Sequence, residues 1–466
     1  MQNLITDPVT PADLAWIVSK GTWYPADHLL LLDTLLVKVS LGEIKNLMIF
    51  MPPRHGKSEL TSKYFPAWYL GKFPDKRVIL TSYEADFAAG WGYKVRNILQ
   101  EYGPNLFGVQ VSAQSAARDR WELQGHQGGM MTAGVGGAIT GKGADLLIID
   151  DPVKNAEEAQ SKTYRQKTYD WYRSTAYTRL EPGGAVIIIQ TRWHEADLSG
   201  MLLNEEPEKW TVISLPALAE ENDLLGRTAG EALFPSRYNA ADLQEIKKTL
   251  GSYWFNALYQ QRPQPDGGAI FKRQFFKYAT LTGDILDLGG EKKFILPMCR
   301  IFQTCDPAAS TKTTADYFVL GTWAQTPNND LVLLDVLRTR LEGPDQVNLF
   351  KQQYARWKPA FQAVESAGVG KTLYQVLVRE GLPIKELKAD TDKLTRALPA
   401  AARMEAGTVY FLQGASWLHD LEEELLSFPN GAHDDQTDVL SYACKIVIED
   451  RKQNFSLSGL ARTKRR

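Results

Sequence analysis

The sequence has few cysteines, no long hydrophobic run and no excess of either charge sign. Its 466 residues include three cysteines, which cannot all pair, so the disulfide framework of a small secreted domain is not expected. The longest apolar runs, such as 146–149 and 185–189, are far shorter than the ~20 residues of a transmembrane helix. The segment 1–8 lacks the basic start and apolar stretch of a secretory signal. These absences predict a protein of a reducing cytoplasm that has no membrane partner.

The balance of charge says little about a nucleic-acid partner. Lysine and arginine number 53 against 55 acidic residues, a net charge of -2, and only local patches decide phosphate contact. The composition, 44% hydrophobic and 23% charged, is typical of a folded protein. At roughly 100 to 200 residues per domain, the length predicts two or three domains and excludes a small single-module binder.

The order of the predicted elements indicates an α/β fold in both halves of the chain. In the first half, short apolar strands alternate with helical stretches, which is typical of a parallel sheet. The strands predicted there are residues 46–50, 77–81, 146–149, 185–190 and 210–215. Proline, glycine and polar residues around 260–268 indicate a linker. We therefore predict four parts: a domain over 1–260, a linker over 261–275, a second α/β domain over 276–450 and a loose basic tail over 451–466.

Two segments compete as a phosphate-binding loop. Residues 136–142, Gly-Gly-Ala-Ile-Thr-Gly-Lys, have the glycine spacing of a P-loop, whereas residues 51–58, Met-Pro-Pro-Arg-His-Gly-Lys-Ser, have methionine at the first glycine position. The chemistry requires a strand before the loop, a helix after it and a hydroxyl group for Mg²⁺. Only 51–58 meets these requirements. We therefore assign Lys57 to the β- and γ-phosphates and Ser58 to Mg²⁺.

Acidic and polar residues at the ends of two later strands support this assignment. The strand 146–149 leads into Asp150 and Asp151 at its carboxyl end, where ligands bind in open α/β sheets. We predict that Asp150 holds Mg²⁺ through water and that Asp151 orients the attacking water, with a simple Asp-Asp-Pro turn as the alternative. The strand 185–190 carries the candidates for sensing the γ-phosphate, for which loop capping is the alternative: Gln190, Thr191 and Arg192.

The second domain carries acids at the ends of three separated elements. Asp306 follows a strand predicted over 300–305, Glu365 ends a later strand, and Asp435 and Asp438 share one face at the start of the last helix. Acids in this order are typical of a site for two Mg²⁺ or Mn²⁺ ions ~4 Å apart on a scissile phosphate. For each acid alone, a turn or a helix cap is the alternative. Four basic residues between these acids contact either DNA phosphates or solvent: Lys388, Lys393, Arg396 and Arg403.

Together these motifs resemble the large terminase subunit of tailed bacteriophages over nearly the whole chain. The resemblance is carried by residues 52–58, 147–152, 191–194, 306–308 and 433–438. It implies an N-terminal RecA-like P-loop ATPase domain with a parallel sheet and a C-terminal RNase H-like nuclease domain. The implied activity is ATP-driven translocation of double-stranded DNA into a prohead, with two-metal endonucleolytic cleavage of concatemeric DNA. The implied cofactors are ATP and Mg²⁺, with Mn²⁺ possible at the nuclease site.

The resemblance also implies partners and further site residues. The partners are double-stranded DNA, the portal protein and prohead, a small terminase subunit and other copies of the chain in a ring on the portal, in the host cytoplasm and not in the mature virion. The nucleotide-binding residues implied are Arg54, His55, Gly56, Lys57, Ser58, Glu59 and Asp150, with Trp23, Tyr24 and His28 in an adenine-binding segment or, alternatively, in an aromatic core cluster. Arg54 or Arg179 would offset charge in the transition state. The family has glutamate where this chain has Asp151, so Glu157 is the alternative acid for orienting water.

Two other classes of function remain open. The Asp-x-x-Asp helix at 435–438 is also similar to junction-resolving nucleases, so the chain fits a DNA-dependent ATPase fused to a resolvase in recombination. The other class is a non-enzymatic DNA-binding assembly scaffold. Neighbouring genes for portal and prohead proteins would separate packaging from recombination, and ATP turnover would exclude the scaffold.

Overall fold

The computed structural model describes residues 8–137, 139, 143–263, 270–307, 317–388, 391–431 and 433–463. The chain forms two compact units, one of residues 1–247 and 254–265 and the other of residues 248–253 and 266–466. Each unit has one large sheet with helices, as the α/β prediction requires. No helix in the described part of the chain has the length and apolar character that a membrane crossing requires.

The first unit contains eight strands and the first eight α-helices among the described residues. The strands are β1 Asn46–Phe50, β2 Arg77–Ser82, β3 Val111–Ala116, β4 Arg120–Leu123, β5 Gly129–Gly134, β6 Ala144–Asp150, β7 Leu180–Gln190 and β8 Thr211–Ser214. The helices are α1 Pro11–Val18, α2 Asp27–Ser40, α3 Phe65–Lys72, α4 Ala85–Leu106, α5 Ala156–Gln160, α6 Lys162–Trp171, α7 Leu198–Glu205 and α8 Ala240–Trp254. Helix α8 bends at Gly251, whose φ of 73° is left-handed, and its residues 248–253 belong to the second unit.

The sheet of the first unit has the order β3-β4-β5-β2-β6-β7-β1-β8, and the pairs from β5 to β8 are parallel. Apart from residues 180–184 at the start of β7, the central strands β1, β6 and β7 are mostly apolar and buried, as expected when helices cover both faces of a parallel sheet. Because β1, β6 and β7 are neighbours and point the same way, the segments that follow them meet at one edge. This edge receives the loop 51–58 and the acids after β6.

The helical stretch after this loop changes its hydrogen bonding just before Pro66. A π-helical segment, Glu59–Tyr64, passes directly into α3, and Pro66 lies in the first turn of α3. The π-helical turn shifts the hydrogen-bond register directly before the proline, which has no N–H group to donate. The helix is therefore re-registered and not broken.

The second unit contains nine strands and the remaining α-helices of the described ranges. The strands are β9 Tyr278–Thr282, β10 Ile285–Asp287, β11 Lys293–Ile295, β12 Arg300–Asp306, β13 Phe318–Gln325, β14 Leu331–Thr339, β15 Gln362–Glu365, β16 Ile384–Leu387 and β17 Val409–Leu412. The helices are α9 Gly343–Trp357, α10 Val369–Arg379, α11 Lys393–Glu405, α12 Leu418–Ser427 and α13 Asp435–Thr463. The sheet order is β11-β10-β9-β17-β14-β13-β12-β15-β16.

The centre of this sheet positions the predicted acids. Strand β12 pairs antiparallel with β13 and parallel with β15, so β12 and β15 end at the same edge, with Asp306 and Glu365 as their last residues. Helix α13 lies against the sheet, where Thr304 Oγ1 donates a hydrogen bond to the Val439 carbonyl at 2.9 Å. The start of α13 thereby reaches the edge that carries the two strand acids.

The predicted tail and the predicted linker can be compared with the structure over part of their length. The loose tail predicted over 451–466 is wrong up to Thr463, because α13 continues to that residue. Arginine, lysine, glutamine and leucine in this stretch are good helix formers and no proline interrupts them. The linker predicted over 261–275 includes residues 264–269, which lie outside the described residues, and a short 3₁₀ turn at Arg273–Phe275.

Candidate active sites

The loop 51–58 has the backbone of a phosphate-binding turn. Arg54 and Gly56 both have left-handed φ angles, 60° and 91°. Successive turns of this kind direct backbone N–H groups towards one side, where an anion binds. A Cβ atom on Gly56 would lie 3.2 Å from the side chain of Leu29, so this position also favours glycine for lack of space.

Methionine at the first glycine position is explained by the strand that precedes the turn. Met51 is fully buried, and its N–H donates a hydrogen bond to the carbonyl of Gln190 at 3.4 Å, so it extends the sheet and does not form part of the turn. The competing segment 136–142 leads into strand β6 from Ala144 and not into a helix. Its residues 138 and 140–142 lie outside the described residues. The geometry therefore favours 51–58.

Five of the predicted residues meet at the sheet edge of the first unit. Ser58 Oγ donates a hydrogen bond to Asp150 Oδ1 at 2.8 Å. Lys57 Nζ lies 3.3 Å from Asp151 Oδ2 and donates a hydrogen bond to Thr191 Oγ1 at 2.9 Å. Asp151 Oδ1 in turn accepts a hydrogen bond from the N–H of Thr191 at 2.9 Å. The loop, the end of β6 and the end of β7 thus form one hydrogen-bonded network around the lysine.

Asp150 is completely buried, and its surroundings disfavour its charged form. Ser62 Oγ donates a second hydrogen bond to it, at 2.7 Å to Oδ2. Burial, followed by the charge of Asp151, raises the pKa of Asp150 to about 7, while Lys57 and the two serine hydroxyls act in the opposite direction. A carboxylate and a hydroxyl held together in this way are the hard oxygen donors that Mg²⁺ prefers. The residues present therefore fit a magnesium ion at Ser58 and Asp150.

The three residues predicted to sense the γ-phosphate have different surroundings. Thr191 contacts Lys57 directly, as described. Gln190 is buried, and within the described ranges its Nε2 has no hydrogen-bond partner. Arg192 is held in a buried ion pair, with its Nε 2.7 Å from Asp197 Oδ2, and its backbone N–H donates a hydrogen bond to Gln261 Oε1 at 3.2 Å. Thr191 and Gln190 are therefore better placed than Arg192 to contact a phosphate.

The remaining charged candidates are exposed or half-buried. Glu157 is exposed in the first turn of α5, whereas Asp151 contacts the loop lysine. Glu59 is exposed and pairs with Lys63 at 3.2 Å. Arg54 is exposed on the loop, and Arg179 is half-buried, with a hydrogen bond to Thr178 Oγ1 at 3.3 Å.

Two buried histidines brace the phosphate loop. His28 Nε2 donates a hydrogen bond to the carbonyl of His55 at 2.9 Å, and His55 Nδ1 donates one to the carbonyl of Pro53 at 2.8 Å. Carbonyl oxygens only accept, so these two ring nitrogens carry protons. Burial lowers the pKa of His28, and lowers the pKa of His55 to about 4, so both rings are neutral near pH 7. His28, predicted as an adenine contact, instead fixes the loop from behind.

The upstream aromatic residues divide between the core and a pocket. Trp23 is buried and packs edge-on against Tyr64 at 6.5 Å between ring centroids, so its indole belongs to the core. Tyr24 is 60% exposed and stacks on Phe234 at 5.8 Å. These two rings line a pocket of about 380 Å³ together with Asp27 and Arg227. The predicted adenine-binding segment thus contributes Tyr24, and not Trp23, to a pocket.

The acids of the second unit influence one another at the edge of its sheet. Burial raises the pKa of Asp306 well above its ordinary value, and the charges of Asp438, Glu365 and Asp435 raise it further. Tyr442 donates a hydrogen bond from its hydroxyl to Glu365 Oε2 at 2.6 Å. The four predicted acids are therefore close enough to repel one another, and bound cations would offset this repulsion.

Asp438 has a cationic partner that the sequence did not indicate. Arg396 donates from Nε and from a terminal nitrogen to Asp438 Oδ1, at 3.0 and 2.6 Å, and both side chains are buried. Burial nevertheless raises the pKa of Asp438 to about 6. Lys393 pairs with Asp434 at 2.6 Å, and Arg403 donates to the carbonyl of Asn329 at 2.6 Å. Arg396 is thus buried, with two of its nitrogens bound to Asp438.

The acids do not form a closed metal-binding cluster in this conformation. Across the part of the chain that the structure describes, no group of three or more histidine, cysteine, aspartate or glutamate side chains is arranged to hold a metal ion. Carboxylate oxygens on two strand ends and one helix start nevertheless suit Mg²⁺ or Mn²⁺ by chemical type. The donor set fits such ions, while the geometry shown here leaves the donors apart.

Two sequence models of protein families match the chain. The model of the N-terminal domain of the terminase large subunit, T4likevirus-type, matches residues 48–277, and the model of the terminase RNaseH-like domain matches residues 303–445. The chain belongs to the terminase large-subunit family. The predicted family and the predicted fold class, including an RNase H-like second domain, are confirmed.

A solved structure of a large terminase shares the fold of this chain. The large terminase of a thermophilic bacteriophage aligns with a TM-score of 0.50 at 11% identity, over 89% of this chain and 98% of that one. The same phage protein in complex with ADP gives a TM-score of 0.47 at 11% identity, over 87% of this chain and 97% of that one. The large terminase of bacteriophage HK97 gives 0.34 at 12% identity, over 81% and 83%. No functionally curated protein matches the chain significantly.

Some site residues of this terminase large subunit were missed by the sequence analysis. Ser62 is four residues after Ser58, and Tyr442 is four residues after Asp438, so each lies on the same helical side as a predicted residue and was detectable by that spacing. Arg396 was predicted to contact DNA phosphates or solvent, and its pairing with Asp438 gave no comparable signal, because the two residues are 42 positions apart on different helices.

Proposed function

We propose that the chain is the motor and nuclease of viral DNA packaging. The first unit binds ATP with Mg²⁺ at the loop 51–58 and hydrolyses it to move double-stranded DNA into a prohead. The second unit cuts concatemeric DNA with divalent metal ions, Mg²⁺ or Mn²⁺. The observation that carries the proposal is the network in which Ser58 contacts Asp150 and Lys57 contacts both Asp151 and Thr191.

The chain's own residues have distinct roles in the proposed ATP hydrolysis. Lys57 brings positive charge to the β- and γ-phosphates, where phosphoryl transfer develops negative charge. Ser58 and, through water, Asp150 would hold the magnesium ion, which would supply positive charge beside the phosphates. Asp151 accepts a hydrogen bond from the attacking water and orients it, because it faces the lysine from the neighbouring strand end. Stacking between Tyr24 and Phe234 offers the adenine ring an aromatic surface.

The proposed cleavage of DNA uses the acids at the edge of the second sheet. Asp306, Glu365 and Asp435 would hold the metal ions, whose positive charge would serve to activate water and to stabilise the leaving oxygen. Asp438 would add its other carboxylate oxygen, Oδ2, while Arg396 fixes Oδ1. The proposed partners are the portal protein, the prohead, a small terminase subunit and further copies of the chain in a ring, in the host cytoplasm.

The test of the motor compares two lysines. Lys57→Ala should abolish ATP hydrolysis and ATP-dependent uptake of DNA into purified proheads, scored as DNA protected from added nuclease, while cleavage of free DNA continues. Lys142→Ala, in the competing glycine segment, serves as the control and should retain both activities. Normal ATP turnover by a folded Lys57→Ala protein would reject the loop assignment.

The water-orienting acid is tested by a second pair of variants. Asp151→Asn should bind ATP with Mg²⁺ but hydrolyse it slowly, since an amide cannot act as an anionic acceptor for the water. Glu157→Gln is the matched control and should be active. The reverse pattern would transfer the role to Glu157.

A further inference from the structure

Two arginines converge on one tyrosine ring beside the acids of the second unit. The guanidinium carbons of Arg338 and Arg340 lie 4.1 and 3.9 Å from the centroid of the Tyr317 ring. Such stacking on an aromatic face orders a guanidinium group while leaving its N–H edge for other partners. Two like charges are thus gathered in a small volume, an arrangement that an anion would stabilise.

The strand register places this group close to the nuclease acids. Asp306 pairs with Val319 across β12 and β13, and Val319 pairs with Arg338 across β13 and β14. Directly paired residues point to the same face of a sheet, and neighbouring strands lie about 4.8 Å apart, so Arg338 begins about 10 Å from Asp306 on the same face. Arg340 is two residues further on, just beyond the end of β14.

Tyr317 connects the arginines to one of these acids. Its backbone N–H donates a hydrogen bond to Asp435 Oδ2 at 3.3 Å. Its ring also meets the ring of His433 edge-on, at 5.2 Å between centroids, and His433 Nδ1 lies 4.0 Å from the same oxygen of Asp435. A ligand bound by the arginines would therefore lie next to Asp435.

The acid that pairs with Arg338, Glu424, also binds another part of the protein. Glu424 lies 3.7 Å from Arg338, beyond hydrogen-bond distance. Its carboxylate accepts hydrogen bonds from the N–H groups of Gln436 and Thr437 at 2.7 and 2.9 Å, so it caps the first turn of α13. Within the described residues, Arg338 Nε is buried with no hydrogen-bond partner. Arg338 thus retains donor capacity that Glu424 does not use.

We propose that Arg338 and Arg340, ordered on the Tyr317 ring, bind a backbone phosphate of the DNA strand beside the phosphate that the acids cleave. The inference rests on the proposed nuclease function of the second unit. Arginine matches phosphate geometry with paired N–H donors, and a DNA strand offers a phosphate at every nucleotide. Positive charge at this point would also offset the repulsion between the DNA backbone and four neighbouring carboxylates.

The test measures DNA binding by the full chain in EDTA, so that cleavage does not interfere. The double variant Arg338→Gln, Arg340→Gln should bind duplex DNA more weakly, and the slope of log affinity against log salt should fall by about 0.9 for each phosphate contact given up. Arg379→Gln, which removes an exposed arginine at the far end of α10, is the matched control and should keep the wild-type slope. The salt dependence of the single variant Arg340→Gln is measured as well, because replacing Arg338 also removes the cation beside Glu424.

Lysine variants separate phosphate binding from packing. Arg338→Lys with Arg340→Lys should recover most of the lost slope, since an ammonium group also contacts phosphate. Recovery would not occur if the arginines only supported the Tyr317 ring, and that result would overturn the proposal, as would a glutamine double variant with the wild-type slope. If the wild-type chain neither binds nor cleaves DNA, the proposed function itself fails. If it binds and cleaves but the variants are unchanged, only the arginine site is rejected.

Discussion

Replacing Asp150 with asparagine should change stability and activity in opposite directions. The wild-type carboxyl is completely buried and has a pKa of about 7, against an ordinary value of 3.8. Its folded pKa is raised, so it contributes most to stability below pH 3.8, where it is protonated in both states. That contribution is lost as the pH rises through 7, because the folded protein must then bury a charge. Asparagine is neutral throughout and should escape this loss.

The size of the effect follows from the shift. Each unit of difference between the folded and unfolded pKa corresponds to about 1.4 kcal/mol, and about two of these units fall between pH 5 and pH 7. The free energy of unfolding of wild type should therefore fall by about 3 kcal/mol relative to Asp150→Asn between pH 5 and pH 8. Because Ser58 and Ser62 both donate to the carboxylate, part of their hydrogen bonding is lost in the variant, and this subtracts a constant amount at all pH values.

The assay is urea unfolding of both proteins in EDTA at pH 5, 6, 7 and 8, with ATP turnover measured in parallel in Mg²⁺. The free energy of unfolding of the variant should rise relative to wild type up to about pH 7 and then level off, while its ATP turnover is largely lost. A difference in stability that does not depend on pH would refute the argument that the buried charge of Asp150 is costly. Full ATP turnover by the variant would refute its role at the magnesium ion.

Three further predictions concern the two sites and their supports. Asp306→Asn should remove metal-dependent cleavage of DNA in Mg²⁺ and Mn²⁺ without changing ATP turnover, whereas Asp434→Asn should still cleave; full cleavage by the former would exclude the two-metal site. His28→Leu should raise the KM for ATP about fivefold through loss of a hydrogen bond worth about 1 kcal/mol, and His28→Gln, which keeps an N–H donor, should recover part of it; equal kinetics for both variants would show that the brace is unimportant. Arg396→Met should lower the free energy of unfolding at pH 8 by about 3 to 5 kcal/mol by leaving Asp438 buried without its partner. That penalty should shrink towards pH 5, as the lone carboxyl takes up a proton. Urea unfolding at the two pH values measures it, and a penalty of the same size at both would contradict this prediction.

The strands that build the nucleotide site could be predicted from the sequence because their signal is local. Strand β1 has the predicted bounds, 46–50, since four buried apolar residues are closed off by the Pro-Pro pair at 52 and 53. Acids directly after apolar strands were also detectable, because the carboxyl ends of parallel strands meet. Strands such as β3 were missed, since Val111–Ala116 is mostly small and polar and has no clear alternation.

The contacts that tune the sites could not be predicted, because they depend on packing between distant elements. The pair of Arg396 and Asp438 joins α11 to α13, and a solvated arginine was the natural expectation for a residue on an amphipathic helix. Likewise, nothing local distinguishes Trp23 from Tyr24, yet one ring lies in the core and the next is exposed beside Phe234. Which neighbour faces the pocket is decided by the tertiary structure.

The hydrogen bond between the backbone of Arg192 and Gln261 gives the first unit a short mechanical path. Lys57 contacts Thr191, Thr191 is followed by Arg192, and Gln261 lies among the last residues of the unit before the chain continues into the other one. In the proposed motor, a displacement of Lys57 would therefore reach the segment where the polypeptide leaves the unit through two hydrogen bonds and one peptide linkage. Removing the hydrogen bond between Arg192 and Gln261 would disturb neither Lys57 nor the acids. It would therefore uncouple ATP hydrolysis from the movement of DNA in the proposed motor.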